Sequence, residues 1–420
     1  MNKIAVIGLG YVGLPLARLF STKYETVGYD INRNRVDELN KGIDKTNEVD
    51  NTLLFNAISS KMLKCTTDID EIKDCNIYIV AVPTPVNEKF QPDLSPLIGA
   101  SKLVGSVISK GDIVIYESTT FPTCTETVCI PVVEKTSGLK YNVDFFAGYS
   151  PERINPGDKE HTVEKITKVT SGSTPEVADI VDELYNSVLT NGTFKATSMR
   201  VAEASKIIEN TQRDINIAFF NELSKLFSKL GIDTNDVIEA ASTKWNFIPL
   251  RPGLVGGHCI SVDPYYLIQL ADEYGVDTPL ISGGRKVNER MSEYVVDKII
   301  SNMNKNGILV KDSKILILGI TFKENCPDIR NTKVIDLYKG FSEYTNNITV
   351  VDHNCDKAYT EKHLGISIET EIPIDKYDVI ILAVPHEKFL KMNYDGILSD
   401  NGFIFDLKSA LPKYVKTIKL

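Results

Sequence analysis

The segment Lys3-Ile-Ala-Val-Ile7-Gly8-Leu-Gly10-Tyr-Val-Gly13 sets the architecture of the chain. Its first five residues form a short continuous apolar run, the pattern of a buried parallel strand. The run enters Gly-x-Gly-x-x-Gly and then an apolar helical pattern from Leu14 to Phe20. Between a strand and a helix, the first glycine permits the tight turn and the second lets a pyrophosphate approach. The third lets the helix pack on the strand. The helix N-terminus then faces the phosphates. The motif alone is weak, but a second strand, Thr26-Val-Gly-Tyr-Asp30, follows and ends in an acid 17 residues past Gly13. An acid there accepts from a ribose 2′-hydroxyl and repels a 2′-phosphate, which favours NAD over NADP. A solvated strand-end acid is the plainer alternative. Gly8, Gly10, Tyr11, Val12, Gly13 and Asp30 are therefore the expected cofactor contacts. Arg35 either lies over the adenine or is an ordinary surface arginine.

Further strands are expected at Ile77–Val82, Asp112–Tyr116 and Asp144–Tyr149, with helices near 95–109, 123–135 and 175–187. Strands alternating with helices make an open, doubly wound sheet, and ligands sit at the carboxyl ends of its strands. At those ends stand Pro83-Thr84-Pro85, Glu117-Ser118-Thr119-Thr120 and Ser150-Pro151-Glu152-Arg153. Turn chemistry alone explains each of them. Three polar ends beside a dinucleotide loop favour a site, in which Glu152 is the carboxylate placed to act as a base.

A long helix is expected from Val201 to about Leu230, with Ala204, Ile207, Ile208, Ile215, Ala218, Phe219, Leu223 and Leu226 among its apolar positions. Glu203, Lys206, Asn210 and Arg213 recur at steps of three and four residues, so they share one face. Periodicity leaves two readings open: a solvated face, or a polar seam at a cleft. A second helix is expected at about 234–244 and another long one from Thr278 to Asn304. Between them lies Arg251-Pro-Gly-Leu-Val-Gly-Gly-His-Cys-Ile-Ser-Val-Asp-Pro-Tyr-Tyr266, with Cys259 behind two glycines and Asp263 four residues on. A thiolate held there is a nucleophile toward a carbonyl. The competing reading is a buried structural cysteine in a glycine turn.

The last third echoes the first. Lys314-Ile-Leu-Ile-Leu-Gly319 repeats Lys3 to Gly8, Thr349-Val-Val-Asp352 repeats Thr26 to Asp30, and Val379 to Pro385 repeats Ile77 to Pro83. A second, smaller Rossmann-like sheet is expected. It lacks the glycine fingerprint and carries Ile320-Thr-Phe-Lys323 and then Asp328-Ile-Arg330. These cations suit a phosphate-bearing ligand, or make an ordinary strand-end ion pair.

Net charge is −9, with 56 acidic and 47 basic residues and no basic tract, so nucleic acid is not an expected partner. No run approaches the ~18 apolar residues of a membrane span, and the N-terminus lacks a signal peptide's apolar core. Seven scattered cysteines, none in a Cys-x-x-Cys pair, suit a reducing cytoplasm and argue against a metal site.

Over its whole length the chain resembles the UDP-glucose/GDP-mannose dehydrogenase family. The motifs that carry the resemblance are Gly-Leu-Gly-Tyr-Val-Gly (8–13), Val-Pro-Thr-Pro (82–85), Glu-Ser-Thr (117–119), Ser-Pro-Glu-Arg (150–153) and Glu-Ala-Ser-Lys…Asn (203–210). Gly-Gly-His-Cys…Val-Asp-Pro-Tyr-Tyr (256–266) and Phe-Lys-Glu-Asn…Asp-Ile-Arg (322–330) complete the set. The resemblance implies an α/β fold of two Rossmann-like, doubly wound sheet domains (1–197 for NAD, 306–420 for a UDP-sugar). A central helical domain (198–305), with one long helix and the cysteine loop, joins them. It implies a four-electron, NAD-dependent oxidation of a nucleotide sugar in a cytoplasmic homodimer.

By position, Cys259 resembles the nucleophile, and Lys206, Asn210 and Asp263 the groups that hold the oxyanion and a water. Glu152 resembles the hydrolytic base, and Thr119 a polar group near the reacting centre and the cofactor. Pro83, Thr84 and Arg330 join the cofactor contacts. Arg153, Arg213, Gly257, Phe322 and Lys323 join Glu152, Lys206 and Asn210 as substrate contacts, and Arg251 reaches the substrate of its own or a neighbouring subunit. The chain departs from the UDP-glucose branch at Val262, where that branch has lysine, and at Pro156, where it has a second glutamate. Both changes, and Asp-Pro-Tyr-Tyr, resemble UDP-N-acetylhexosamine 6-dehydrogenases of the gluco or galacto type, which feed surface polysaccharides. The alternatives are a UDP-glucose 6-dehydrogenase, a two-electron hydroxyacid dehydrogenase and a non-catalytic NAD-binding protein.

Overall fold

A computed structural model describes residues 2–87, 90–153 and 162–420; Pro156 lies outside the described residues. The chain forms two compact units, Met1–Glu209 with Tyr265–Tyr274, and Asn210–Pro264 with Gly275–Leu420.

The elements of the first unit begin with β1 (Lys3–Ile7), α1 (Gly13–Phe20), β2 (Glu25–Tyr29), α2 (Arg33–Leu39), α3 (Asn51–Ser59), β3 (Leu63–Thr66) and β4 (Ile77–Val80). They continue with α4 (Ser95–Gly105), β5 (Ile113–Tyr116), α5 (Ile130–Ser137), β6 (Phe146–Tyr149), β7 (Lys168–Thr170), α6 (Pro175–Asn186) and β8 (Thr193–Lys195). The main sheet is parallel throughout, in the order β3-β2-β1-β4-β5-β6, and β7 pairs with β8 separately. Strands β1, β4 and β5 are apolar on both faces because helices cover both. One core layer holds Leu14, Leu39, Leu54 and Val181; the other holds Leu97, Val104, Ile130 and Val133. The chain order reverses between β1 and β4, which opens a crevice at the carboxyl ends of the strands.

Helix α7 (Met199–Leu230) runs from the first unit into the second. After it come α8 (Thr234–Ala241), α9 (Asp263–Glu273), α10 (Pro279–Glu289) and α11 (Met291–Lys305). The single helix expected over 278–304 is in fact two. Arg290 leaves the helical backbone at φ −85°, ψ 2°. The break has a packing cause. Helix α10 turns Gly284 toward Ile215 and Ala218 of α7, whereas α11 buries Met291, Val295 and Ile299 in the core of the last sheet. Each helix serves a different layer, so the apolar phase resets between them.

The chain ends in β9 (Ile315–Leu318), α12 (Val334–Ser342), β10 (Ile348–Val351), α13 (Lys357–Leu364), β11 (Tyr377–Leu382), α14 (Glu387–Leu390), β12 (Leu398–Asp406) and β13 (Thr417–Lys419). This sheet is also parallel, in the order β10-β9-β11-β12-β13, which repeats β2-β1-β4-β5-β6. The likeness reaches single atoms. Gly8 and Gly319 sit at φ +92° and +90°, and each donates its N–H to the last residue of the neighbouring strand at 2.8 Å. No helix among the described residues is long and apolar enough to cross a membrane.

Candidate active site

In the first unit, the glycine loop is shaped for a dinucleotide. A Cβ on Gly8 would stand 2.7 Å from the carbonyl of Ala81, and one on Gly13 only 1.8 Å from the carbonyl of Gly8. A Cβ on Gly10 would meet nothing within 4 Å, so the backbone there faces open space. Asp30 accepts from the N–H of Leu9 with Oδ2 and of Asn32 with Oδ1, both at 2.8 Å. A carboxylate has about four acceptor positions, so two remain for ribose hydroxyls. These features fit a bound NAD.

Arg35 is half-buried rather than an ordinary surface arginine. Its Nε donates to the carbonyl of Leu9 at 3.0 Å, and its guanidinium pairs with the buried Asp44 at 2.8 Å. It braces the phosphate loop from behind. Tyr11 and Val12 are half-buried, Pro83 is exposed, and the carbonyl of Thr84 accepts from the Tyr266 hydroxyl at 3.0 Å. Thr119 is half-buried beside Ser118, whose hydroxyl donates to the carbonyl of Val82 at 2.7 Å.

The same unit brings Glu152 and Lys206 together. Both are buried, with Glu152 Oε2 3.4 Å from the Lys206 ammonium. The other oxygen, Oε1, is buried with no hydrogen-bond partner among the described residues. A buried acceptor without a donor is costly, so this oxygen is suited to a water or a ligand hydroxyl. Arg153 is occupied by Glu209 and by the carbonyl of Thr167. Glu203 shares the inward face of α7, but its carboxylate accepts from the N–H groups of Thr123 and Thr125 at 2.6 and 2.9 Å. It caps the helical segment that follows Thr123.

In the second unit, the cysteine loop rests on its glycines. Gly257 adopts φ +84°, and a Cβ there would strike the Phe322 ring at 2.8 Å. A Cβ on Gly256 would lie 2.7 Å from the carbonyl of Asn331, which instead accepts from the N–H of Gly257 at 3.2 Å. Cys259 follows, a half-exposed thiol outside any disulfide rather than a fully buried one. Its carbonyl accepts from Val262 and Asp263 at 3.0 and 2.8 Å, which places it one turn ahead of the N-terminus of α9. Asp263 is 3% exposed and accepts from Asn210 Nδ2 at 2.6 Å.

Arg213 does not continue the polar seam of α7: it is exposed. The seam passes instead through Asp214 and Asn221, both fully buried. Asn221 had drawn no attention in the sequence, yet its amide grips Gly253 of the cysteine loop on both sides. It donates to the carbonyl at 3.0 Å and accepts from the N–H at 2.8 Å. An asparagine inside a long helix was the only available signal. Arg251 is exposed and bonds Asn235. Phe322 and Lys323 are half-buried, and Arg330 makes a two-pronged pair with Asp328 at 2.6–3.0 Å.

The second sheet's strand-end acid is not open to a ribose. Asp352, the counterpart of Asp30, is fully buried and accepts from Ile320 N–H at 2.7 Å, Thr321 N–H at 3.2 Å and His386 Nε2 at 3.0 Å. The histidine is held in place because its Nδ1 accepts from the N–H of Asn325 at 2.9 Å.

Residues 2–189 match the NAD binding domain of the UDP-glucose/GDP-mannose dehydrogenase family, residues 200–290 its central domain, and residues 316–413 its UDP binding domain. The chain is 51% identical to the UDP-N-acetyl-D-glucosamine 6-dehydrogenase of Pseudomonas aeruginosa, over 100% of this chain and 99% of that one. It is 49% identical to the enzyme of the same name from Salmonella typhi, over 100% and 98%. Among solved structures, UDP-D-ManNAc dehydrogenase from Pyrococcus horikoshii superposes with a TM-score of 0.90 at 30% identity, covering 99% of this chain and 98% of that one. The chain belongs to the UDP-glucose/GDP-mannose dehydrogenase family and is an NAD-dependent nucleotide-sugar dehydrogenase.

Proposed function

We propose that the enzyme oxidises the primary alcohol of a UDP-N-acetylhexosamine, of the gluco or galacto type, to the carboxylate of a UDP-N-acetylhexosaminuronic acid. It works as a cytoplasmic homodimer and supplies a surface-polysaccharide precursor. The observation that carries the reading is the half-exposed Cys259 thiol, set on a glycine loop that leads directly into the buried Asp263–Asn210 pair. Full-length identity near 50% to two UDP-N-acetyl-D-glucosamine 6-dehydrogenases supports the substrate class.

NAD+, which the Gly8–Gly13 loop and Asp30 would hold, would supply the hydride acceptor for two successive oxidations, one NAD+ for each, with NADH exchanged for fresh NAD+ in between. The first leaves an aldehyde on the sugar, and the alcohol proton passes to solvent. Cys259 sulfur adds to the aldehyde carbon and its proton to the oxygen, giving a thiohemiacetal, a tetrahedral alcohol whose remaining C–H can deliver a second hydride. The second oxidation leaves a thioester. Water adds to its carbonyl carbon, the carbon–sulfur bond breaks, and the carboxylate departs as the thiolate returns. The Lys206 ammonium and Asn210 amide stabilise the negative charge that develops on the tetrahedral oxygens. Losing one such donor commonly costs on the order of 100-fold in rate. Glu152 takes the proton of the attacking water with the carboxylate oxygen that has no donor among the described residues. Asp263 fixes the Asn210 amide. Phe322 and Lys323 lie on the segment that receives the UDP moiety, together with Gly257 and Arg251, and Arg330 remains a cofactor contact.

Counting NADH formed per UDP-N-acetylglucosamine consumed tests the scheme. Two are expected; one would assign a two-electron alcohol or hydroxyacid dehydrogenase, and none a binding protein. Higher kcat/KM with UDP-glucose would assign the other branch of the family. Cys259→Ser is expected to abolish uronate formation, and steady turnover at the wild-type rate would remove the covalent step.

A further inference from the structure

Beneath the loop that carries Glu152 lies a buried ion cluster that the proposed reaction does not use. Glu117, Lys168 and Tyr185 are 0%, 1% and 0% exposed. The Lys168 ammonium pairs with Glu117 Oε2, and the Tyr185 hydroxyl donates to Oε1. The ammonium also stands 5.3 Å from the centre of the Tyr185 ring. Glu117 directly follows β5, and Lys168 opens β7. Among the described residues neither bonds to the cofactor loop; both face the backbone of residues 150–152.

Lys168 Nζ donates to the carbonyl of Pro151 at 2.9 Å and lies 3.5 Å from that of Ser150. The N–H of Glu152 donates to the carbonyl of Glu117 at 3.3 Å. The backbone on both sides of the Pro151–Glu152 peptide thus ends on this cluster. Taking an ammonium and a carboxylate out of water costs several kcal/mol per ion, and apolar packing would hold a sheet at least as well. A lysine directed at two carbonyls of one loop fixes that loop's path, a task no aliphatic side chain performs.

We propose that Lys168, held by Glu117 and Tyr185, is a positioning residue that aims the Glu152 carboxylate at the water of the hydrolytic step. The inference rests on the reading of Glu152 as hydrolytic base. It assigns Lys168 to the last step alone: water oxygen bonds to the thioester carbon, its proton goes to Glu152, and the carbon–sulfur bond breaks. Both hydride transfers precede that step and do not need Glu152.

The test is rapid-mixing kinetics with UDP-N-acetylglucosamine and NAD+, with intact-protein mass read at the end of the fast phase. Glu152→Gln is the reference variant. The main variant is the pair Glu117→Gln with Lys168→Met, which removes both charges and leaves neither buried alone. Tyr185→Phe removes only a hydroxyl and serves as the gentle variant. In each, a burst of two NADH per active site is expected, followed by slow turnover with the acylated Cys259 accumulating. A geometric error of this size costs on the order of 10- to 100-fold in kcat, while KM for NAD stays put. If Glu152→Gln shows the burst but the paired variant and Tyr185→Phe do not, the positioning role is overturned and the base stands. Wild-type turnover by a folded paired variant overturns it equally. If Glu152→Gln itself shows no burst, the hydrolytic base is misassigned and the role of Lys168 goes with it.

Discussion

Gly10 and Gly13 belong to one motif, yet they answer to different constraints. A methyl on Gly13 would stand 1.8 Å from the carbonyl of Gly8, so that residue is glycine for the fold. A methyl on Gly10 would meet no protein atom within 4 Å, so that residue is glycine for whatever lies against the loop. Gly10→Ala is therefore expected to keep the wild-type melting temperature while raising the Kd for NAD at least about tenfold, since the methyl occupies the pyrophosphate's approach. Gly13→Ala is expected to lower the melting temperature instead. Calorimetric melting with and without NAD separates the two, and equal destabilisation by both variants would refute the distinction. The sequence exposes such glycines because only a few backbone situations require them. It exposes arginines poorly. Arg35 braces the loop and Arg213 points to solvent, because a long charged side chain takes its direction from neighbours distant in sequence.

At the scale of elements, the C-terminal sheet reuses the β1-turn-β2 arrangement with a changed purpose. Asp352 still ties the turn after β9 through Ile320 and Thr321, as Asp30 ties Leu9, but His386 covers its remaining face. Burial pushes the Asp352 carboxyl up, yet the His386 hydrogen bond and the backbone N–H groups outweigh it and hold the carboxyl below its usual range. A depressed carboxyl contributes stability above its unfolded value, and that stability is lost as pH falls through the folded one. Asp352→Asn is expected to cost about 2 kcal/mol at pH 7. The gap from wild type should close as pH falls below about 4. Urea unfolding at several pH values checks this, and a gap that does not change with pH would show that the charge is not what stabilises the turn. The repeat itself was legible because buried parallel strands write continuous apolar runs, and three runs recurred in order. The break at Arg290 was not, since α10 and α11 are both strongly helical and only their separate partners divide them. Helix α9 was masked by the loop residues that precede it, and β3 by its short length.

For the whole molecule, α7 carries two opposed stripes. The inward one holds Glu203, Lys206, Asn210, Asp214 and Asn221, polar and buried. The outward one holds Val201, Ile208, Phe219 and Leu226, each 47–57% exposed. Steps of seven, eleven and seven residues return to within about 20° of one direction on an α-helix, so these four side chains form a single line about 38 Å long. An apolar line of that length is a protein contact when it is covered, and in the proposed homodimer a second copy of the same helix would cover it about a two-fold axis. The long helix would then be fixed from outside by its partner while Lys206 and Asn210 project from its other side. Replacing Phe219 and Leu226 together by glutamate is expected to convert a dimer into a monomer in light scattering. Turnover should fall about tenfold or more, because a small loss of alignment at the reacting centre is enough to cost that much. The interior of α7 is untouched by these substitutions, so circular dichroism should be unchanged. A variant that remains dimeric would move the interface elsewhere. A monomer with full turnover would show that α7 holds its catalytic side chains without help from a second subunit.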